Sequence, residues 1–449
     1  MFSELLAKRA AENNPIRVGI IGAGKFGAGL ITQIISMQGI EVSAVADINL
    51  DSAKRAYVTN CISPEAIQVT RTVQEMNQMI QNGKPAITED GLLVARTDLL
   101  DVVVEATGIP EVGARLAYET ITHHKHLIMV NVEADVTVGP FLRRLADNAG
   151  VVYSLVDGDQ PGMTMNIVEW AKTLSLEIVA AGRGTVFYDN DRAGTPDTVA
   201  ERFGFDEEML ERREINLKMF NSFRDGSKAQ IEMCALANMT GLLPDVRGMH
   251  EPSVNIADIP QIFSQVEEGG LLQQHGVVEL ANSVRPDSRT LLEDPLRMGV
   301  FVVIRTDHPF IQEDLHSYHL HSGGSGQNYL LYRPYHLVAV EAPISIVKAV
   351  LYGKAIGSPL ATPVTEVITV AKRDLKRGEL LNGSGGYTVN GLIERVEIAR
   401  QSGFLPLGLA YDVKLKQDVS QGTVITYEMV TLNQDSFVLK LRRLQDAVV

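Results

Sequence analysis

Two cysteines, Cys61 and Cys234, are all that 449 residues contain. They lie far apart, without the clustered spacing of a zinc site or a disulfide framework, so a reducing compartment suits the chain. Positive charge is also short: 41 Lys and Arg face 55 Asp and Glu, a formal net charge of -14. No run of basic residues offers a phosphate-tracking surface, which argues against nucleic acid and anionic membranes as partners. No apolar run is long enough to span a bilayer, and the opening M-F-S-E-L-L-A-K-R-A-A-E lacks the apolar core of a signal peptide. A cytoplasmic protein is therefore expected. With 45% hydrophobic and 21% charged residues, the composition suits a globular protein of two or three domains. Phe2 to Ala11 reads as an amphipathic helix with Phe2, Leu5 and Leu6 on one side, for core packing or an oligomer contact.

What the chain does have is V-G-I-I-G-A-G-K-F-G-A-G-L, from Val18 to Leu30. An apolar run breaks into Gly22, Gly24 and Gly27 at G-x-G-x-x-G spacing, and a helix-like segment, Leu30 to Met37, follows. The first glycine permits the turn, the second lets backbone approach a pyrophosphate, and the third lets helix and strand pack closely. Lys25 and Phe26 lie inside this loop, and the helix N-terminus presents free N–H groups to phosphate. A second strand, Val42 to Ala46, ends in Asp47, about 20 residues past the last glycine, where a dinucleotide fold places the acid that holds ribose hydroxyls.

Further strands and helices alternate. Asp51 to about Asn82 has helical character, Asp101 to Gly108 is a buried strand ending in a small-residue turn, and Pro110 opens a helix. His126 to Val130 is a strand running into Asn131 and Glu133; Pro140 to Asn148 is a helix closed by Gly150; Val151 to Val156 is a strand entering D-G-D-Q-P-G. This order implies an α/β fold, a Rossmann-type doubly wound parallel sheet with its crevice at the carboxyl strand ends. Thr107, Gly108, Asn131, Glu133, Asp157 and Asp159 fall at such ends. An α+β catalytic domain is expected next, with a strand at Ile178 to Phe187, a helix at Ser227 to Met239 and a polar excursion or lid at Asp189 to Glu208. The expected domains are 1–160, 161–361 and 362–449. The last contains an echo, Lys372 to Gly378 matched by Lys416 to Gly422, which implies two similar β elements in a packing, tethering or assembly module.

Asp157 and Asp159 stand two apart at the crevice mouth, and with Glu133 they suggest a three-oxygen site for a divalent cation. The same D-G-D also suits an ordinary turn. Lys228 and Glu232 lie one helical turn apart on a largely apolar helix, with Asn238 beside the same face; a buried Lys held by an acid binds phosphate or transfers a proton, whereas an exposed pair is a surface salt bridge. Arg183 suits an anionic substrate. Ser322 and Ser325, in S-G-G-S-G after His319 and His321, suit a phosphate loop better than the histidines suit a metal.

G-A-G-K-F-G, D-V-V-V-E-A-T-G, D-G-D-Q-P-G and A-G-R-G-T together resemble the homoserine-dehydrogenase-like oxidoreductases across the first half of the chain. The last part, with A-K-R-D-L-K-R-G-E-L-L and L-K-Q-D-V-S-Q-G, resembles a SAF domain, a small β-clip module. The combination is similar to the DXR-like family, which serves in some bacteria as 1-deoxy-D-xylulose 5-phosphate reductoisomerase. The resemblance implies NADPH, a divalent metal (Mn2+ or Mg2+), a small phosphorylated substrate and a metal-assisted rearrangement followed by hydride transfer. Lys228, Asp157, Asp159 and Glu232 are then the expected catalytic groups; Arg183, Asn238, Ser322 and Ser325 the substrate contacts; and Gly22, Gly24, Lys25, Phe26, Gly27, Asp47, Thr107, Gly108 and Asn131 the cofactor contacts. Asp47 by itself favours NADH, because it repels a 2′-phosphate unless Lys54 or Arg55 turns toward the ribose. The lysine that homoserine dehydrogenases carry after the strand-end asparagine is replaced here by Val132 and Glu133. Their substrate-directed aspartate and following lysine would fall on His250 and Val254. A dehydrogenase of another small hydroxy or sugar acid, or a nucleotide-bound sensor, remains the alternative, and a homodimer or larger assembly is expected by analogy of fold.

Overall fold

The computed structural model describes residues 2–206, 209–210, 215–286 and 290–448. By contact the chain divides into two compact units, residues 1–159 with 337–361 and 435–449, and residues 160–336 with 362–434. Two later segments thus return to the first unit, which a division into three consecutive stretches does not anticipate.

The first unit is built on seven strands: β1 (Ile16–Ile21), β2 (Ile40–Ala46), β3 (Gln68–Val69), β4 (Ala86–Thr88), β5 (Val102–Glu105), β6 (His126–Met129) and β7 (Tyr153–Leu155). They form one sheet in the order β3-β4-β2-β1-β5-β6-β7, with every pairing parallel. Parallel strands covered by helices on both faces read as continuous apolar runs, and Val102, Val103 and Val104 are wholly buried. The order reverses at β1, where a doubly wound sheet opens its crevice. The helical stretch expected from Asp51 resolves into Leu50–Val58 and Val73–Gln81.

Pro140 does not open a helix. That helix runs Val132–Ala149 with Asn131 as its N-cap, the Asn131 Oδ1 accepting Ala134 N–H at 3.1 Å, and Pro140 lies inside it. Helix Val338–Tyr352 packs against Lys25–Ile35 so closely that a Cβ on Gly29 would come within 2.9 Å of the Ala339 Cβ. Helix Phe437–Val448 buries Val438, Leu439 and Leu441, and Glu111 accepts hydrogen bonds from Ser436 Oγ at 2.6 Å and Phe437 N–H at 2.6 Å at its start.

The second unit carries a six-stranded mixed sheet: β8 (Glu177–Thr185), β9 (Leu243–Pro244), β10 (Val277–Asn282), β11 (Val300–Arg305), β12 (Ser322–Gly323) and β13 (Asn328–Arg333), in the order β12-β13-β11-β8-β10-β9. Its core includes Phe263 and Phe301, stacked with centroids 5.2 Å apart. The A-A-G-R-G-T glycines serve packing: a Cβ on Gly182 would lie 1.8 Å from the Glu279 carbonyl oxygen, and one on Gly184 2.3 Å from that of Arg297. The helix Ser227–Thr240 is buried along its whole length.

Residues 362–434 add β14 (Thr365–Ala371), β15 (Leu380–Asn382), β16 (Val389–Arg395), β17 (Tyr411–Leu415) and β18 (Val430–Thr431), all antiparallel pairings. The two echoed turns clasp each other. Leu375 N–H donates to Val419 O at 2.8 Å and Val419 N–H to Leu375 O at 2.9 Å. Asp374 accepts Gln421 N–H at 2.9 Å while Asp418, its counterpart, accepts Arg377 N–H at 2.8 Å. Each turn therefore caps the other, a pseudo-two-fold arrangement that explains why the motif occurs twice.

Candidate functional site

In the first unit the glycine-rich turn has the geometry of a dinucleotide cradle. Gly22 has φ +103 and a Cβ there would lie 2.7 Å from the Ala106 carbonyl oxygen, so the loop rests on the turn after β5. A Cβ on Gly27 would come within 1.9 Å of the Gly22 oxygen. Gly24 is different: nothing lies within 4 Å of its Cβ position, and it caps the helix Lys25–Ile35. That open space above a helix N-terminus is where a pyrophosphate would sit. Lys25 is exposed and Phe26 half-buried at the same end.

Asp47 closes the loop on its other side. Its Oδ2 accepts Ala23 N–H at 2.7 Å and its Oδ1 accepts Asn49 N–H at 2.8 Å. The carboxylate is thus fixed at the end of β2 in the position of a ribose-binding acid. Arg55 donates to Ser52 Oγ at 3.0 Å. Across the crevice, Thr107 and Gly108, φ +68, make the turn after β5, and Asn131 donates to the Ile109 carbonyl at 3.1 Å. The nine expected cofactor contacts therefore belong to one neighbourhood of one unit.

The expected three-oxygen metal site does not form. Among the described residues no group of three His, Cys, Asp or Glu side chains is arranged to hold a metal ion. Asp157 is buried in its own turn, its Oδ1 accepting Gly158 N–H at 2.9 Å and its backbone N–H donating to Ser345 Oγ at 2.6 Å. Glu133 is buried in the first turn of the helix behind β6, and Asp159 follows the D-G turn half-buried. Among the described residues, Asp157, Asp159 and Glu133 therefore do not by themselves form a cation cage.

In the second unit Glu232 also faces a second cation. It forms an ion pair with Arg183, both fully buried, and Arg183 Nε donates to the Gly184 carbonyl at 3.1 Å. The guanidinium is neutralised internally rather than presented to an anion. Lys228 is buried at the start of the same helix. Asn238 is a tether: its Oδ1 accepts the N–H groups of Val364 and Thr365 at 2.9 and 3.0 Å, and its Nδ2 donates to Thr365 O at 3.2 Å, which leaves little of the amide for a substrate. Ser322, in β12, and Ser325, in the turn between β12 and β13, are exposed at the edge of the sheet, β12 being three strands from Arg183 on β8. At about 4.8 Å per strand they do not share a site with it.

Three arrangements escaped the sequence reading. His250 stands between two carboxylates, its Nδ1 2.7 Å from Glu279 Oε1 and its Nε2 3.6 Å from Asp245 Oδ2. The hydrogen bond to Glu279 holds its pKa above the ordinary histidine value against a lowering by burial. Met249 and Glu251, at φ +67 and +51, flank it in a conformation that disfavours side chains. Next to it, Glu251 accepts from Gln230 Nε2 at 2.8 Å and pairs with Arg192. Lys372, in the first of the echoed turns, is buried against Asp225 at 2.6 Å and donates to the Gly194 and Gly386 carbonyls, each at 2.8 Å. The expected lid is correspondingly tied down. Asp191 accepts from Arg224 Nη2 at 3.0 Å and pairs with Arg202, and helix Pro196–Phe203 is capped by Thr195; Glu207 and Glu208 lie outside the described residues. Finally, the Glu105 and Asp135 carboxyls are buried in the first unit. Long-range packing creates the His250–Glu279, Glu251–Arg192 and Lys372–Asp225 pairings, so no local motif announces them.

Comparison with known proteins divides the chain in the same place as its chemistry. Residues 22–155 match the family model described as homoserine dehydrogenase, NAD binding domain, and residues 158–342 match that described as oxidoreductase DRL, catalytic domain. A homoserine dehydrogenase from Methylobacillus glycogenes is 25% identical over 169 residues, 35% of this chain and 37% of that protein's length. Among solved structures, a "probable dehydrogenase from Thermotoga maritima" is 10% identical with a TM-score of 0.37, covering 76% of this chain and 90% of its own. Scyllo-inositol dehydrogenase from Lactobacillus casei is 12% identical with a TM-score of 0.35, covering 71% and 76%. No helix among the described residues is long and apolar enough to cross a membrane. The two family matches make the chain similar to DRL and homoserine dehydrogenase proteins, and its coarse class is an oxidoreductase with an NAD-binding domain.

Proposed function

We propose that the protein is an NADPH-dependent reductoisomerase that converts 1-deoxy-D-xylulose 5-phosphate to 2-C-methyl-D-erythritol 4-phosphate, acting as a cytoplasmic homodimer. The observation that supports this most is the occurrence in one chain of a glycine cradle and of a segment matched by the DRL catalytic model. The echoed turns of residues 362–434 support the SAF-like reading of the last module. Gly24 and the N-terminus of the helix Lys25–Ile35 would hold the pyrophosphate, Asp47 the adenosine ribose, and the Thr107–Gly108 turn with Asn131 the nicotinamide side. When bound, the nicotinamide supplies a hydride. Lys228 would meet the substrate phosphate or move a proton, as a buried ammonium with a small desolvated surface does.

A second reading is favoured by a specific observation. The acids expected to bind a cation are tied into turns and helices, which suits a dehydrogenase of another small hydroxy or sugar acid that needs no metal. The nicotinamide absorbance decides between them: oxidation of NADPH or NADH is followed with 1-deoxy-D-xylulose 5-phosphate, and reduction of NAD+ or NADP+ with a small hydroxy acid, each with either manganese or a chelator. Oxidation that depends on manganese supports the reductoisomerase. Turnover of a small hydroxy acid that survives the chelator supports the dehydrogenase and ends the first reading.

A further inference from the structure

Glu105 closes β5 directly beneath the Thr107–Gly108 turn and is completely buried. Its Oε1 accepts the Thr107 N–H at 2.9 Å and also the Thr107 hydroxyl. Its Oε2 has no hydrogen-bond partner among the described residues. The neighbouring helix Pro110–Thr122 leaves room for that oxygen: a Cβ on Gly113 would lie 2.8 Å from Oε2 and 2.4 Å from Asn131 Nδ2. A glycine in a helix interior costs about 1 kcal/mol relative to alanine. The helix therefore forgoes stability where a bare carboxyl oxygen needs space.

The same turn touches the cofactor cradle. Glu105 pairs with Ile21 at the end of β1, and the Gly22 Cβ position lies 2.7 Å from the Ala106 oxygen. Burial raises the Glu105 pKa to about 7, with the hydrogen bonds from Thr107 opposing the rise and the charge of Glu133 adding to it. The other titratable groups around it are Asp135, on the helix that carries Glu133, and Tyr153 on β7, which donates to Asp135 at 2.7 Å.

An oxidised nicotinamide ring carries a positive charge and a reduced ring carries none. An opposite charge nearby favours the ionised form of a carboxyl, and loss of that charge favours the proton. Resting on the dinucleotide-binding reading, we infer that Glu105 is a positioning residue whose ionisation follows the redox state of the cofactor: ionised beneath the oxidised ring, protonated beneath the reduced one. It acts through Thr107. An ionised Glu105 makes both Thr107 bonds charge-assisted and fixes the turn, whereas a protonated one holds it less firmly.

Isothermal titration of the full chain with NAD+ and with NADH tests this, from pH 6 to 8.5 in two buffers of different ionisation heat. The unphosphorylated pair avoids the 2′-phosphate, whose own second ionisation falls near pH 6. NAD+ binding is expected to release up to about one proton below pH 7, with affinity rising as much as about tenfold per pH unit there, while NADH affinity stays flat below pH 7 and falls above it as the complex takes up a proton. Glu105→Gln keeps the Oε1 acceptor and should abolish both the release and the slope. Thr107→Val should weaken binding yet keep the proton release. A Glu105→Gln protein that still releases the proton, or wild-type profiles identical for NAD+ and NADH, overturns the inference. Should Glu105→Gln fail to fold, Gly113→Ala takes its place: it keeps the acid but crowds Oε2 and should move the midpoint of release, and an unmoved midpoint also counts against it. Wild-type protein that binds neither dinucleotide would instead refute the cofactor reading itself.

Discussion

Asp135 and Glu105 are acids held where an ionised carboxylate is poorly solvated, and both have pKa values raised by burial to about 7 from 3.8 and 4.5. The folded protein then binds protons that the unfolded chain has already lost. Their contribution to stability is present in full below the unfolded values and disappears as pH rises toward 7. Thermal unfolding should show a melting temperature that falls between pH 5 and pH 8. Asp135→Asn, which keeps an acceptor for Tyr153, should flatten part of that fall and be more stable than wild type at pH 8 by on the order of 1 to 3 kcal/mol; an unchanged slope would refute the assignment. His250 works in the same direction. Its pKa is raised by Glu279, so their pairing stabilises below about 6.5 and fades at higher pH. Asp47 carries a separate expectation: Asp47→Asn keeps the bond to Ala23 N–H, removes the charge, and should raise the NADPH to NADH affinity ratio by about tenfold. Fluorescence titration of both cofactors measures it.

At the scale of elements, the glycine loop separates folding from binding. Gly24→Ala meets nothing within 4 Å and should cost at most about 1 kcal/mol of stability, yet lower dinucleotide affinity at least about tenfold by filling the pyrophosphate space. Gly27→Ala, 1.9 Å from the Gly22 oxygen, should damage both. Parallel measurement of melting temperature and cofactor affinity separates the two. In the second unit, Arg183→Ala removes the buried guanidinium of the Arg183–Glu232 ion pair and should destabilise by about 3 to 5 kcal/mol, visible as a lowered urea midpoint.

These elements also mark how far sequence reasoning reaches. The cradle was legible because strand, glycine spacing and Asp47 lie within 30 residues and each follows from local backbone demands. The echoed turns were legible as a repeat, although their clasping of each other was not. Pro140 misled because proline favours a first helical turn, whereas Asn131 supplied a better cap nine residues earlier. Glu232, Asn238 and the D-G-D acids were chosen for their chemistry at plausible spacings. Arg183 reaches Glu232, and Thr365 reaches Asn238, from distant segments that no spacing rule connects, while the Asp157 carboxylate turns back on the N–H of its own Gly158.

At the scale of the whole molecule, the first unit is assembled from three separated stretches of chain. Helix Phe437–Val448 is fixed to it through Glu111, through Gln445, whose Oε1 accepts Phe141 N–H at 3.2 Å, and through Val438, Leu439 and Leu441. Deleting residues 435–449 uncovers apolar side chains worth about 1.5 to 3 kcal/mol each when buried. It should lower both the melting temperature and dinucleotide affinity, although no deleted residue lies in the cradle.

That closing helix has a consequence for biogenesis. A ribosome makes the nucleotide-binding sheet early, but the segment that seals its helices is translated only after residues 362–434. Throughout that interval the helices Pro110–Thr122 and Val132–Ala149 carry an uncovered apolar seam. Vectorial synthesis therefore cannot finish the first unit first, and the protein's demand for chaperones should fall on a nearly complete chain whose second unit is already made.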